Sequence, residues 1–137
     1  METFVARAVG VEEHPPLLLV GFAEREDGTG QAFHFQCDLR VNDYSEDDGW
    51  PEDDTYCMST EKGLTKFGCV EEVGIQGNVV KISFTAAAQR DLSLKSRVFE
   101  IHIEGSDVST SRIVRELHRV LTCGRPEYHP DFLIVDN

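Results

Sequence analysis

The sequence predicts an α+β domain: an antiparallel sheet of about seven strands, with one long C-terminal helix and one short helix. Three observations carry this. Apolar and polar residues alternate with period two in several segments of the first hundred residues, the mark of half-buried strands. One later segment repeats its apolar residues at helical spacing. A chain of 137 residues, 40% hydrophobic and 28% charged, has the size and composition of a single globular domain spanning residues 1–137.

The elements follow in order. Phe4 to Val11 is rich in Val and Phe and reads as a strand, broken by His14-Pro15-Pro16. Leu17 to Ala23 is a nearly continuous apolar run, as in a central strand. Glu26-Asp27-Gly28-Thr29-Gly30 is a turn cluster. From Gln31 to Leu39, Phe33, Phe35 and Cys37 alternate with His34 and Gln36, so one face is buried and a meander is expected. Strand character resumes over residues 54–59. After the Glu61-Lys62-Gly63 turn it continues from Phe67 to Val73, then from Val80 to Phe84. Thr85 caps a short helix through Ala86-Ala87-Ala88-Gln89. Val98 to Glu104 points Phe99, Ile101 and Ile103 inward. The long helix carries Ile113, Leu117, Val120 and Leu121, with Ser106 or Asp107 as its cap and Gly124 as its stop. Phe132 to Val135 is apolar enough to pack back as an edge strand.

The acidity is local. Residues 41–61 hold eight of the 25 acids and none of the 13 bases, which accounts for −8 of the net −12. A field this concentrated speaks of partners more than of fold. The loop, about residues 42–53, has no periodicity, and Gly49-Trp50-Pro51 bars a helix. The candidate partner-binding residues are Asp43, Tyr44, Glu46, Asp47, Asp48, Trp50, Glu52, Asp53 and Asp54. The carboxylates would meet a basic surface. Trp50, the only tryptophan, and Tyr44 would supply apolar anchors. The competing reading is a solvated, solubilising insertion.

Other chemistry finds little support. Asp43, Ser45, Asp47 and Asp54 fall at calcium-loop spacing, but the required glycine comes one place late, Pro51 intervenes and no helix flanks the loop. Glu12-Glu13 and Glu71-Glu72 are adjacent on strands and so should face opposite ways, which argues against catalytic dyads. His14, His34, His102, His118 and His129 lie in no catalytic signature, and His34 and His102 read as solvated. Gly28-Thr29-Gly30 precedes a strand, not a phosphate-binding helix. Cys37, Cys57, Cys69 and Cys123 form no Cys-x-x-Cys pair, so reduced structural thiols are expected, with no metal and no cofactor. A chain of net −12 with scattered bases repels phosphates, so nucleic acid is not the expected partner. No apolar run approaches a membrane span and the N-terminus lacks a signal pattern, so the expectation is no membrane and a cytoplasmic location.

A family resemblance follows from the order of these segments. Phe4-Val5-Ala6-Arg7, Leu19-Val20-Gly21-Phe22-Ala23, Asp54-Thr55-Tyr56 and the run from Phe67 to Val73 precede the Ala-rich helix, the Ile-containing strand and the amphipathic helix. Together, over residues 3–122, they resemble the tenth immunity-protein family of bacterial polymorphic toxin systems. Cys69 stands where that family tends to have a second glycine, and Phe33-His34-Phe35-Gln36-Cys37 where it tends to have a Leu-rich strand ending in Gln-Arg. The resemblance implies a cytosolic antidote that binds a cognate protein toxin, without chemistry of its own. The sign of the charge suits a basic nuclease domain as that toxin. The alternative class is a small-ligand or regulatory binding domain, or a homo-oligomeric adaptor.

Overall fold

The first strand segment crosses between two sheets. In the computed structural model, which describes residues 1–43, 54–105 and 107–135, β1 (Glu2–Ala6) pairs in parallel with β9 (Val98–Ile103). After Arg7 the chain enters β2 (Ala8–His14), antiparallel to β3 (Leu17–Ala23) in the other sheet. The crossing is pinned on both sides: Glu104 N–H donates to the Ala6 carbonyl at 3.0 Å, and Arg7 N–H to the Ala23 carbonyl at 3.0 Å.

The meander continues through β4 (Ala32–Asp38), and a 3-10 turn, Leu39–Asp43, follows it. Beyond the acidic segment come β5 (Cys57–Thr60) and β6 (Thr65–Phe67), which complete an antiparallel sheet in the order β2-β3-β4-β5-β6. The chain then moves to the first sheet with β7 (Val70–Gln76) and β8 (Val79–Phe84). Helix α1 (Ala86–Asp91) leads to β9, helix α2 (Thr110–Leu121) follows, and β10 (Asp131–Val135) lies parallel to β7. That sheet runs β1-β9-β8-β7-β10.

The described residues thus form two sheets of five strands, not one sheet of about seven. Period-two alternation reports that a strand has a buried face; it does not report which sheet lies opposite. The expected strand from Phe4 to Val11 is two strands in two sheets, the short β6 is separate from β7, and both outer pairs of the first sheet are parallel.

The two buried faces meet in an aromatic cluster. Phe33 of β4 sits edge-on to Phe4, Phe84 and Phe99 of the other sheet, with ring centroids 5.6, 5.5 and 5.0 Å away. Helix α2 covers the same face of β3 and β4 further along, burying all four expected stripe residues. Each such side chain contributes roughly 1.5–3 kcal/mol through burial. Thr85 caps α1 as its sequence indicates, accepting from Ala88 N–H at 3.0 Å. The α2 cap is instead Ser109, whose Oγ accepts from Arg112 N–H at 3.3 Å. Ser109 has the extended backbone of a cap, φ −64° and ψ 147°, which aims its Oγ at the third helical N–H, while Thr110 and Ser111 are already within the helix. No described helix is long and apolar enough to cross a membrane.

Candidate functional site

Both ends of the acidic segment are tied to one short stretch after α2. Cys123 forms a disulfide with Cys37 at the end of β4, with Cα atoms 6.7 Å apart. Gly124 N–H donates to Asn42 Oδ1 at 2.8 Å, which holds the entry to the segment. Arg125 holds the exit twice: its backbone N–H donates to the Asp54 carbonyl at 2.8 Å, and its Nε donates to Asp54 Oδ2 at 3.0 Å. The turn before the segment is fixed as well, through Leu39 N–H to the Pro16 carbonyl at 2.8 Å.

Local chemistry explains why residues 123–125 can do this. Gly124 has φ +72°, a left-handed conformation suited to ending a helix. A Cβ there would fall inside contact distance of the Asp54 carbonyl oxygen, so only glycine permits the approach. The Arg125–Asp54 pair is nearly enclosed, with side chains 8% and 13% exposed. A paired, hydrogen-bonded ion pair tolerates such burial, whereas either partner alone would not.

The disulfide corrects the expectation that all four cysteines are reduced. Cys37 and Cys123 lie 86 residues apart, and nothing local in the sequence signals that the C-terminal end of α2 docks beside β4. Cys57 and Cys69 are free thiols. Burial holds Cys69 at about 12 and raises Cys57 as well, so neither has the character of an activated nucleophile.

Of the candidate partner-binding residues, Asp43 ends the 3-10 turn and Asp54 is the anchored carboxylate just described. Tyr44, Glu46, Asp47, Asp48, Trp50, Glu52 and Asp53 lie outside the described residues. The sequence reading missed Asn42, Gly124, Arg125 and the disulfide. Gly124 stood out only as a helix stop.

Two of the open grooves among the described residues lie elsewhere. One, of about 630 Å³, lies over the outer face of β2–β4, where Gly10, Gly21 and His34 are paired in one cross-strand row. His34 lies across Gly21, its Nδ1 2.9 Å from where a Cβ would stand. The other, of about 860 Å³, is lined by Glu71, Glu72, Glu127, Asp131, Arg97 and His129 among others. A register irregularity between Val70 and Glu72 breaks the expected alternation there, so Glu71 and Glu72 are both exposed. Arg97 pairs with Glu71 at 3.0 Å. Among the described residues no three His, Cys, Asp or Glu side chains converge as a metal site.

The histidines are dispersed. His102 Nε2 meets Glu100 at 2.8 Å, the His118 ring packs tilted against Phe132 with centroids 4.6 Å apart, and His129 Nε2 lies 3.2 Å from the Gly124 carbonyl. The Tyr56 hydroxyl accepts from Val70 N–H at 2.8 Å, and burial, with a lesser contribution from Cys69, pushes its pKa well above the ordinary value.

The chain is therefore a two-sheet α+β protein whose acidic segment is fastened at both ends beside a disulfide. It belongs to the Immunity protein 10 family, which matches residues 5–111, and is thus an immunity protein of a toxin system. No curated protein and no solved structure matches it. The tether at residues 123–125 and strand β10 lie beyond the matched residues.

Proposed function

We propose that this immunity protein neutralises a cognate protein toxin in the cytoplasm by stoichiometric binding and occlusion, without catalysis of its own. The acidic segment forms part of the contact surface. The observation that carries this reading is the double tether: the stretch with most of the net charge enters and leaves through Asn42 and Asp54, both held by Gly124-Arg125. A fixed base limits the ordering entropy that a charged loop loses on binding. Asp43, Glu46, Asp47, Asp48, Glu52 and Asp53 meet a basic surface of the toxin, and Trp50 and Tyr44 are the desolvated anchors. A nuclease domain that grips phosphates is the toxin class this charge suits best. Asp54 serves the segment from beneath, through Arg125.

The test uses the toxin domain encoded beside this gene. Asn replacement of Asp47, Asp48 and Asp53 leaves Asp54 intact, so the tether is preserved. The variant should associate more slowly at low ionic strength and show a shallower salt dependence, with little change in stability. Association indistinguishable from wild type at low salt would make the segment a solvated insertion and move the interface elsewhere.

A further inference from the structure

Strand β10 has one satisfied edge. Asp131 to Val135 run parallel to Glu72 to Gln76 of β7, and among the described residues no strand pairs with the opposite edge. Free edges are usually blunted by a lysine, a proline, a bulge or a covering element. Phe132 to Val135 carries no charge and no proline.

The two central side chains show how this edge could be covered. Leu133 is 60% exposed and Ile134 55%, the most exposed large apolar side chains of the described residues after Met1. Neighbouring residues on a strand point to opposite faces, so a surface packed on one face would cover only one of them. An extended segment laid along the edge covers both and at the same time pairs with the backbone groups of an edge that no described strand occupies.

Charge identifies the occupant. Asp131 stands in register with Glu72 at the start of β10, and both are exposed. Glu127 lines the same groove, and neither Asp131 nor Glu72 meets a cation among the described residues. Like charges directly across strands repel, and a basic residue placed between them relieves the cost. A second copy of this chain would bring another net −12 to the same place.

We infer that the free edge of β10 receives a strand from the toxin. That strand is apolar where it passes Leu133 and Ile134, and beside Asp131 carries a Lys or Arg whose side chain reaches over β10 into the groove that Glu72 and Glu127 line. The inference rests on the toxin-binding reading above and specifies its mode.

The experiment compares amide exchange of residues 131–135 in the free protein and in its complex with the toxin domain encoded beside the gene. Exchange should slow at least ~10-fold in the complex, and Leu133→Lys with Ile134→Lys should weaken binding by at least ~10-fold with an unchanged urea midpoint. A stable complex in which 131–135 exchanges at the free rate overturns the inference while leaving toxin binding intact. A free protein that sediments as a dimer, and as a monomer after Ile134→Lys, gives the edge to a second copy and overturns it too. If the wild-type protein forms no complex, the toxin-binding reading falls, and the strand-addition mode with it.

Discussion

Two glycines with the same backbone conformation and opposite surroundings test the tether. Gly77, in the β7–β8 turn, has φ +59° and open space where a Cβ would sit. Gly124 has φ +72°, but there a Cβ would collide with the Asp54 carbonyl, whose carbon would be 2.8 Å away. Alanine at either site adopts a left-handed conformation at a cost of roughly 1–2 kcal/mol, partly offset by a stiffer unfolded chain, so Gly77→Ala should cost about 1 kcal/mol. Gly124→Ala adds a clash with a backbone group that cannot move freely, because that carbonyl accepts from Arg125 N–H at 2.8 Å. Relieving the clash stretches that bond and the Gly124–Asn42 bond, each worth about 1 kcal/mol. It also loosens the enclosed Arg125–Asp54 contact. The expected total is about 3–4 kcal/mol, which places the two variants about 2–3 kcal/mol apart, or on the order of 10 °C in Tm for a chain of this size. Urea unfolding followed by far-ultraviolet circular dichroism, without reductant, measures both variants on one scale. Equal losses for the two, within about 0.5 kcal/mol, would show that the 123–125 contact with Asp54 contributes nothing to stability and would refute the tether.

The disulfide predicts two titratable thiols, not four, when the protein is denatured without reductant. Replacing both Cys37 and Cys123 by Ala should cost about 2–5 kcal/mol, since the bridge closes a long loop in the unfolded chain; four free thiols in protein purified without reductant would contradict it. Alkaline pH should destabilise the fold. Burial raises Cys69 to about 12 in the folded state and raises Tyr56 as well, so the folded state favours their neutral forms. This stability is fully present below the unfolded thiol value of about 9 and is lost as pH rises towards 12. The urea midpoint should therefore fall as pH rises from about 9 towards 12, and Cys69→Ala should flatten the slope; a pH-independent midpoint would be the contrary result.

What the sequence made legible is what local periodicity can carry. The alternation of Phe33, Phe35 and Cys37, the Thr85 cap and the Ile113–Leu117–Leu121 stripe all depend on neighbours within a few positions, and all are present as read. The apolar run at Phe132 to Val135 likewise lies in an edge strand. Long-range partition was not legible. Nothing near Arg7 says that the chain changes sheets there, and a three-residue strand such as Thr65–Phe67 is too short to show a period. The site was less legible still. Asp54 looks like one more free carboxylate in an acidic run until its partner is found 71 residues away. Cys37 looks like a small core residue until α2 brings Cys123 against it. Pairings of this kind are products of the finished fold, and no spacing rule reaches them.

The placement of the tether joins the two proposed contact elements mechanically. Residues 123–125 grip both ends of the acidic segment, the 3-10 turn Pro126–Tyr128 follows at once, and β10 begins at Asp131. Between them, the Tyr128 ring packs against Gly68, where a Cβ would stand 2.7 Å from Cδ1, and this fixes the path from tether to edge. The charged segment and the apolar edge therefore share one covalent support. Their roles should still separate kinetically. Charge acts over a Debye length and so governs encounter, whereas strand pairing and apolar burial act only at contact and so govern release. Asn substitutions at Asp47, Asp48 and Asp53 belong to the first class and Lys substitutions at Leu133 and Ile134 to the second. A disturbance at Gly124 reaches both, because it displaces the support on which each depends.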